Sequence, residues 1–259
     1  MASTYDLVEG RNEISERVRA ATLRAALEVF RPGDRILELG CGTGRDALAL
    51  ARHGVHVTAT DVSPEMTRVT AARADREGLG SRVRVRALSA ADAAELEGPF
   101  DGAYSNGAVL NLEPDLARVG RGLARGIRAG GYAVLTAANR LCLFELAVYP
   151  VALRPRKAFR KLGRPVPIPI SREGLGRRYV VPTRFLTPEE FRRTLGKGFE
   201  VRDLRGLQII TPPWNFVDLA RRFRPAVEPL VRLEDRIGSR RGLRALGAIY
   251  LQVFRRTSE

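Results

Sequence analysis

"RILELGCGTGRDALALARHGVHVTATDVSPEM" occupies residues 35–66. The apolar run Ile36, Leu37 and Leu39 ends in three alternate glycines, Gly40, Gly42 and Gly44. Ala47, Leu48 and Ala51 then recur at helical spacing, and a second apolar run over residues 55–60 ends in Asp61. Short apolar runs bounded by turn signals read as strands buried on both faces. The stretch therefore predicts strand, glycine turn, helix, strand. A strand that ends in a glycine turn and opens a helix offers free backbone N–H groups and close backbone approach to a ligand. The dinucleotide fingerprint G-x-G-x-x-G is not met, because Arg45 stands where the third glycine would fall, and no phosphate loop of the form G-x-x-x-x-G-K-[ST] is present. Asp61 follows Gly44 by 17 residues, the place where a carboxylate accepts hydrogen bonds from both hydroxyls of a ribose. A ligand with a ribose and no pyrophosphate is implied.

The same alternation extends outward in both directions. Ile14, Val18, Ala21, Leu23, Ala25, Leu27 and Phe30 give residues 13–30 a helical period, which "RPGD" at 31–34 stops. Downstream, Ser63 caps a helix that takes Pro64 in its first turn, where proline is best tolerated. Strands are predicted over residues 83–88, 100–105 and 132–138, with a helix over 114–128. Such alternation argues for a parallel sheet with helices on both faces. After Asn139 the pattern changes. Residues 151–180 hold nine Arg or Lys against one Glu, together with "RPVPIPI", whose prolines exclude a regular helix. Regularity returns at "TPEEF", residues 187–191, where Thr187, Pro188 and Glu190 spell a capping box. A strand near 200–210, a helix over 226–237 and a last strand near 248–254 complete the chain.

The 259 residues suffice for one well-buried core. A formal charge of +15 points to nucleic acid, an anionic membrane or an acidic substrate. Yet all but three of the 44 basic residues are arginine, a bias that genome composition also produces, and both origins stay open. Cys41 and Cys142 lack paired spacing, and with His53 and His56 they form no metal-ligand pattern, so neither a disulfide framework nor a metal is expected. The charged N-terminal residues 1–19 do not read as an export signal. The longest apolar run, residues 141–153, is broken by Glu145 and Pro150 and is shorter than the roughly 20 residues that span a bilayer. A cytoplasmic protein is expected.

"LELGCGTG" followed by "TATDVSPEM" resembles the class I S-adenosylmethionine-dependent methyltransferases, in particular the small-molecule branch that includes quinone-biosynthesis enzymes. The resemblance covers roughly the first 140 residues. It implies S-adenosyl-L-methionine as cofactor and a Rossmann-like doubly wound sheet of order 3-2-1-4-5-7-6, mostly parallel with an antiparallel last strand. The single domain over residues 1–259 then divides into a helical cap (1–33), a cofactor-binding core (34–140), a lid inserted after the fifth strand (141–186) and sheet completion (187–259). By the same resemblance Glu38 lies near the methionine end of the cofactor. Gly40, Cys41, Gly42 and Gly44 line it, Asp61 holds the ribose, and Val62 and Met66 lie against adenine. Asp92, in "SAADAAEL", is the candidate for the acidic residue near the adenine amine. "FDGAYSNGAVLNL" at 100–112 matches the fourth-strand loop, where Ser105 and Asn106 border the transferable methyl group.

Methyl transfer is a displacement in which proximity and orientation carry much of the work. No histidine falls in the expected pocket, so a carboxylate, a tyrosine or a self-ionising acceptor must serve in place of the commonest general base. Tyr5, Tyr104, Asn111, Asn139 and Arg140 are the candidates for contact with the acceptor, and no catalytic residue is assigned. The order of the insertion, apolar "LCLFELAVYP" then basic "LRPRKAFRKLGR", suits an amphiphilic acceptor with a negative end, or peripheral contact with an anionic membrane at its inner face. A solvated basic loop is the competing reading. A nucleic-acid (RNA) methyltransferase would explain the charge, but "SNGA" at 105–108 is not the N-P-P-Y type loop of amino-methylating enzymes. A non-catalytic S-adenosylmethionine-binding protein is the third alternative.

Overall fold

Along β1 (Arg35–Leu39) the side chains alternate between two cores, Leu37 and Leu39 joining one and Ile36 the other. A strand buried on both faces needs helices on both faces, and the sequence supplies them. The computed structural model describes residues 12–96, 98–163, 165–171 and 178–258. Along the chain follow β2 (His56–Asp61), β3 (Val83–Ala87), β4 (Phe100–Ser105), β5 (Ile127–Ala138), β6 (Val166–Ser171), β7 (Arg178–Thr183), β8 (Phe199–Leu207) and β9 (Ile249–Arg256). Seven of them form one sheet of order β3-β2-β1-β4-β5-β9-β8; β6 and β7 pair separately. Leaving that hairpin out, the order is the expected 3-2-1-4-5-7-6. The first five strands are parallel, while β9 runs antiparallel to both β5 and β8.

One face carries α1 (Glu13–Val29), α2 (Arg45–Arg52) and α3 (Pro64–Arg76). Ala25, Ala26, Ala47, Leu50 and Ala74 from these helices pack with Ile36, Ala59, Tyr104 and Val134. The other face carries α4 (Ala90–Ala94) and α5 (Leu116–Gly126), together with a later helix over Pro188–Leu195. Its core centres on Leu37, Leu39, Ala103, Leu123, Leu135, Phe191 and Phe254. Local signals set the boundaries. Asn12 caps α1 through Ile14 N and Ser15 N, and Ser63 caps α3 with Pro64 in its first turn. Helix α5 starts two residues later than its periodicity suggests, because Asp115 is the cap and accepts from Arg118 N at 2.9 Å. Helix α4 is absent from the sequence reading: five residues, four of them small alanines flanking Asp92, leave too short a pattern to see, and Ser89 supplies the cap.

Between β5 and α8 (Pro188–Leu195) lies a closed excursion. It leaves at Asn139 and returns at Leu186, which form an isolated parallel bridge. It contains α6 (Leu143–Val151), α7 (Pro155–Ala158) and the β6–β7 hairpin. The prolines that exclude helix here are accommodated in a two-stranded ribbon, with Pro167 opposite Pro182; each strand of a ribbon has one outer edge that needs no donor. Helix α8 has the expected capping box: Glu190 N donates to Thr187 Oγ1, and Glu190 Oε2 accepts from Thr187 N. After β8, α9 (Val217–Arg222) and α10 (Arg224–Ile237) precede β9.

Candidate cofactor site

The glycine turn rides on the end of β2. Gly40 N and Cys41 N both donate to Thr60 O, at 2.8 and 2.7 Å. All three glycines have positive φ, and their neighbours explain two of them further. A Cβ at Gly40 would lie 2.6 Å from Val109, and one at Gly44 would lie 2.6 Å from Thr70. At Gly42, φ +54°, a Cβ would meet nothing within 4 Å. That position faces open space, so its backbone is accessible to a ligand.

Asp61 joins the turn to the following loop. Its Oδ2 accepts from Gly42 N and its Oδ1 from Ser63 N, both at 2.9 Å. Each oxygen retains a further lone pair. Beside Asp61, Val62 is exposed and Met66 half-buried in the first turn of α3. Beneath the turn, Glu38 is 2% exposed, and its Oε2 has no hydrogen-bond partner among the described residues. Burial pushes its carboxyl well above the usual range; Asp46 and Asp61 push it further, and Arg19 partly offsets them. Asp46, in the first turn of α2, accepts from Tyr104 Oη at 3.0 Å and Asn106 Nδ2 at 3.1 Å, and pairs with Arg19 Nε at 2.6 Å. Glu16 and Arg45 make a second bridge between α1 and α2. Three carboxylates thus gather beside an open backbone turn, and Arg19 from the N-terminal helix pairs with one of them, Asp46. A buried carboxylate without a partner is stabilised by a cation or a donor from the ligand side.

Ser105 and Asn106 stand where the fourth strand meets this cluster. Ser105 Oγ donates to Leu39 O at 2.9 Å and is buried; Asn106 bridges Asp46 to Thr136 and to its own loop through Gly107 N. Cys41 is a small buried residue whose thiol is pushed up by burial and by Glu38, which leaves it unreactive.

Several expected acceptor contacts have other roles in the structure. Tyr104 is fully buried, its hydroxyl engaged by Asp46 and its ionisation disfavoured by burial, so it cannot serve as a base. Asn111 is a clamp: Nδ2 donates to Ala138 O and Arg184 O, and Oδ1 accepts from Ala138 N. Asn139 likewise donates to Ala245 O and Gly247 O and accepts from Leu141 N. Buried amides with every strong partner satisfied by backbone hold loops in place. Asp92 lies on the exposed side of α4, with Ser89 and Arg118 holding its carboxyl below the usual range. Tyr5 lies outside the described residues. Arg140 lines a cavity, considered below. Sequence reasoning missed Arg19 and Asp46. An acidic residue in a first helical turn reads as a complement to the helix dipole, and nothing local marks an arginine 27 residues upstream as its partner.

Residues 36–131 match a family model described as a methyltransferase domain. Over these residues the chain is similar to that domain. Among similar curated proteins, the ubiquinone biosynthesis O-methyltransferase of Xylella fastidiosa (strain 9a5c) is 36% identical over 129 residues, covering 48% of this chain and 52% of that protein. The ubiquinone biosynthesis O-methyltransferase of Xanthomonas oryzae pv. oryzae (strain PXO99A) is 39% identical over 132 residues, with 48% and 53% covered. The chain spans about half the length of the curated relatives it matches. Solved structures share the fold over more of the chain. A geranyl diphosphate methyltransferase in complex with SAM superposes with a TM-score of 0.60 at 18% identity, covering 93% of this chain and 87% of that one. The cyclase SpnF does so with a TM-score of 0.60 at 22% identity, with 93% and 82% covered. A protein named as a cyclase on the same methyltransferase fold is a reminder that function lives in the site. No group of three or more His, Cys, Asp or Glu among the described residues could hold a metal ion.

Proposed function

We propose that the protein is an S-adenosylmethionine-dependent methyltransferase acting on a small amphiphilic acceptor. One observation carries the reading: the carboxylates of Glu38, Asp46 and Asp61 gather beside the open backbone at Gly42, where Asp46 pairs with Arg19 and the buried Glu38 has an oxygen without a partner among the described residues. That field is complementary to a cationic ligand, and the free lone pairs of Asp61 are complementary to a ribose. When bound, S-adenosylmethionine supplies an electrophilic methyl group on a sulfonium centre. Gly42 would present its backbone to this ligand, Glu38 would answer its positive end, and Val62 and Met66 would flank the base. Asp92, where Arg118 leaves it room, would reach the adenine amine. With Tyr104 engaged by Asp46, deprotonation is left to the acceptor's own acidity, and the enzyme's part is orientation and exclusion of water.

The lid supports an amphiphilic acceptor. Val151, Leu153, Phe159 and Leu162 are exposed on it, Leu153 to 90%, and Arg154, Arg156, Lys157 and Arg160 are exposed among them. Apolar side chains interleaved with cations fit the surface of an anionic bilayer or of a lipid-like substrate. Cytoplasmic residence with peripheral membrane contact follows from this reading. Among the described residues no helix is long and apolar enough to cross a membrane.

Calorimetry with S-adenosylmethionine tests the assignment. Asp61→Ala removes charge-assisted hydrogen bonds worth roughly 1.5–3 kcal/mol each, so affinity should fall at least tenfold in a protein that still folds. Unchanged affinity, or tight binding of NAD to the wild type, would overturn it.

A further inference from the structure

Where the lid returns to the sheet, a cavity of about 100 Å³ is lined by Arg140, Lys161, Gly163, Pro165, Arg184 and Phe185. It sits at the C-terminal edge of the sheet, beside the loop that follows β4. Asn111 fixes it there: this residue of the β4 loop accepts from Arg184 N through its backbone and donates to Arg184 O through its side chain. The cavity thus shares an edge with the glycine turn while its charge has the opposite sign.

Three cations converge on it. Lys161 is 6% exposed and lies 2.7 Å from Glu145 Oε2 and 5.0 Å above the Phe185 ring. Arg140 donates to Glu190 Oε1 at 2.6 Å and to Phe185 O at 3.1 Å. Arg184 donates to Pro114 O at 3.1 Å and pairs with no carboxylate among the described residues. Two carboxylates therefore answer three cations, and the excess charge rests on Arg184. Its Nε and Nη2 have no partner among the described residues, and a guanidinium offers these donors in a fixed fork that matches a carboxylate or phosphate. At Gly163, φ +90°, a Cβ would meet nothing within 4 Å, so this wall is bare backbone next to open space.

We propose that Arg140, Lys161 and Arg184 form a receptor for one anionic oxygen group, a carboxylate or a phosphate, carried by the acceptor. The word acceptor rests on the function proposed above; the anion site itself does not. Arg184 supplies the fork, Lys161 the buried charge, and Glu145 and Glu190 hold the other two cations in place. The receptor gives the enzyme a way to orient a negative head group relative to the same sheet edge that holds the cofactor.

The test uses the full chain at constant ionic strength, with sodium phosphate or sodium acetate as probe against sodium chloride. Thermal unfolding and phosphate line width in phosphorus NMR report binding. Wild type should show saturable stabilisation by at least one of the two anions, with at least tenfold weaker binding in Arg184→Gln. Arg184→Lys, which keeps the charge without the fork, should fall between them and covers the case in which the glutamine variant folds poorly. The anion that protects better names the head group. Equal response of wild type and both variants, or response to neither anion, overturns the receptor. Calorimetry with S-adenosylmethionine runs in parallel and should give the same affinity in all three proteins. Anion binding without cofactor binding would remove the methyltransferase reading and leave the receptor; cofactor binding without anion binding would remove the receptor alone.

Discussion

Around the glycine turn, backbone groups do most of the holding: Gly40 N and Cys41 N on Thr60 O, Gly42 N and Ser63 N on Asp61. In the excursion between Asn139 and Leu186, side chains separated by many residues do it: Lys161 with Glu145, Arg140 with Glu190, Asn111 with Arg184. Both loops rise from the same edge of the sheet. The first is sensitive to an added Cβ and the second to a removed charge. A site for one fixed ligand can be built from backbone, which cannot be altered by point mutation without strain, whereas a site that must suit one acceptor among many is built from side chains that evolution can exchange.

The largest effect is expected at the buried pair. Glu145 is 2% and Lys161 6% exposed, and removing one member of such a pair leaves an uncompensated buried charge costing about 3–5 kcal/mol. Glu145→Ala should lower stability by that amount in urea unfolding, and Glu145→Leu combined with Lys161→Met should recover most of it. If single and double variants were equally destabilised, packing around α6 and not charge would hold the lid. The turn offers the counterpart. Gly40→Val adds both a positive-φ penalty and a clash with Val109 at 2.6 Å, together about 3 kcal/mol. Gly163→Ala in the lid meets open space and should lose about 1 kcal/mol, from the backbone alone.

This contrast also sets what the sequence makes legible. The glycines, Asp61 and the Ser63–Pro64 cap lie within 25 residues, and each acts through geometry that residue type dictates locally. A parallel sheet with helices on both faces is legible for the same reason, since strand and helix periods alternate without interruption to Asn139, whereas the strand order is implied by the family resemblance alone. Arg19, which pairs with Asp46, and Arg184, which Asn111 clamps, act across 27 and 73 residues. Pairings of that range depend on the finished fold, and a lone arginine in a chain with 41 of them carries no signal. The intramolecular roles of Tyr104, Asn111 and Asn139 are hidden in the sequence for a related reason. Polar residues at strand ends suggest a ligand, but buried loop backbone needs the same groups, and here the backbone takes them.

A smaller effect, of opposite sign in two measurements, is expected at Glu38. Its carboxyl is held well above the usual range by burial and by Asp46 and Asp61. A raised folded-state value stabilises the native protein below the ordinary carboxylate range, and that contribution is lost as pH rises through the raised value, at about 1.4 kcal/mol for each unit of displacement. Glu38→Gln carries no such loss. The variant should therefore become progressively more stable than ligand-free wild type as pH rises, while binding S-adenosylmethionine at least tenfold more weakly at neutral pH. Wild-type affinity should in turn decline as acid protonates Glu38. A stability difference independent of pH would place the proton elsewhere in the cluster.

The smallest effect belongs to the exposed cations of the lid, and it separates recruitment from genomic arginine bias. Arg154, Arg156, Lys157 and Arg160 are exposed, whereas Lys161 is buried against Glu145 and is excluded from the set. Exposed charges act over a Debye length of about 8 Å at physiological ionic strength. Replacing the four with glutamine should therefore raise the acceptor KM several-fold at low salt and by little at high salt, with kcat and cofactor affinity unchanged. Sedimentation with vesicles of anionic lipid should fall in parallel, because each cation near such a surface contributes about 1 kcal/mol. Cofactor affinity serves as the internal control, since buried and partly buried carboxylates such as Glu38 and Asp46 are screened by salt much less than exposed cations. Should a lipid-like acceptor show the same KM with wild type and the four-fold variant at every salt concentration, the exposed cations would be solvated surface, and the acceptor side of the molecule would reduce to the buried pair and the cavity beside it.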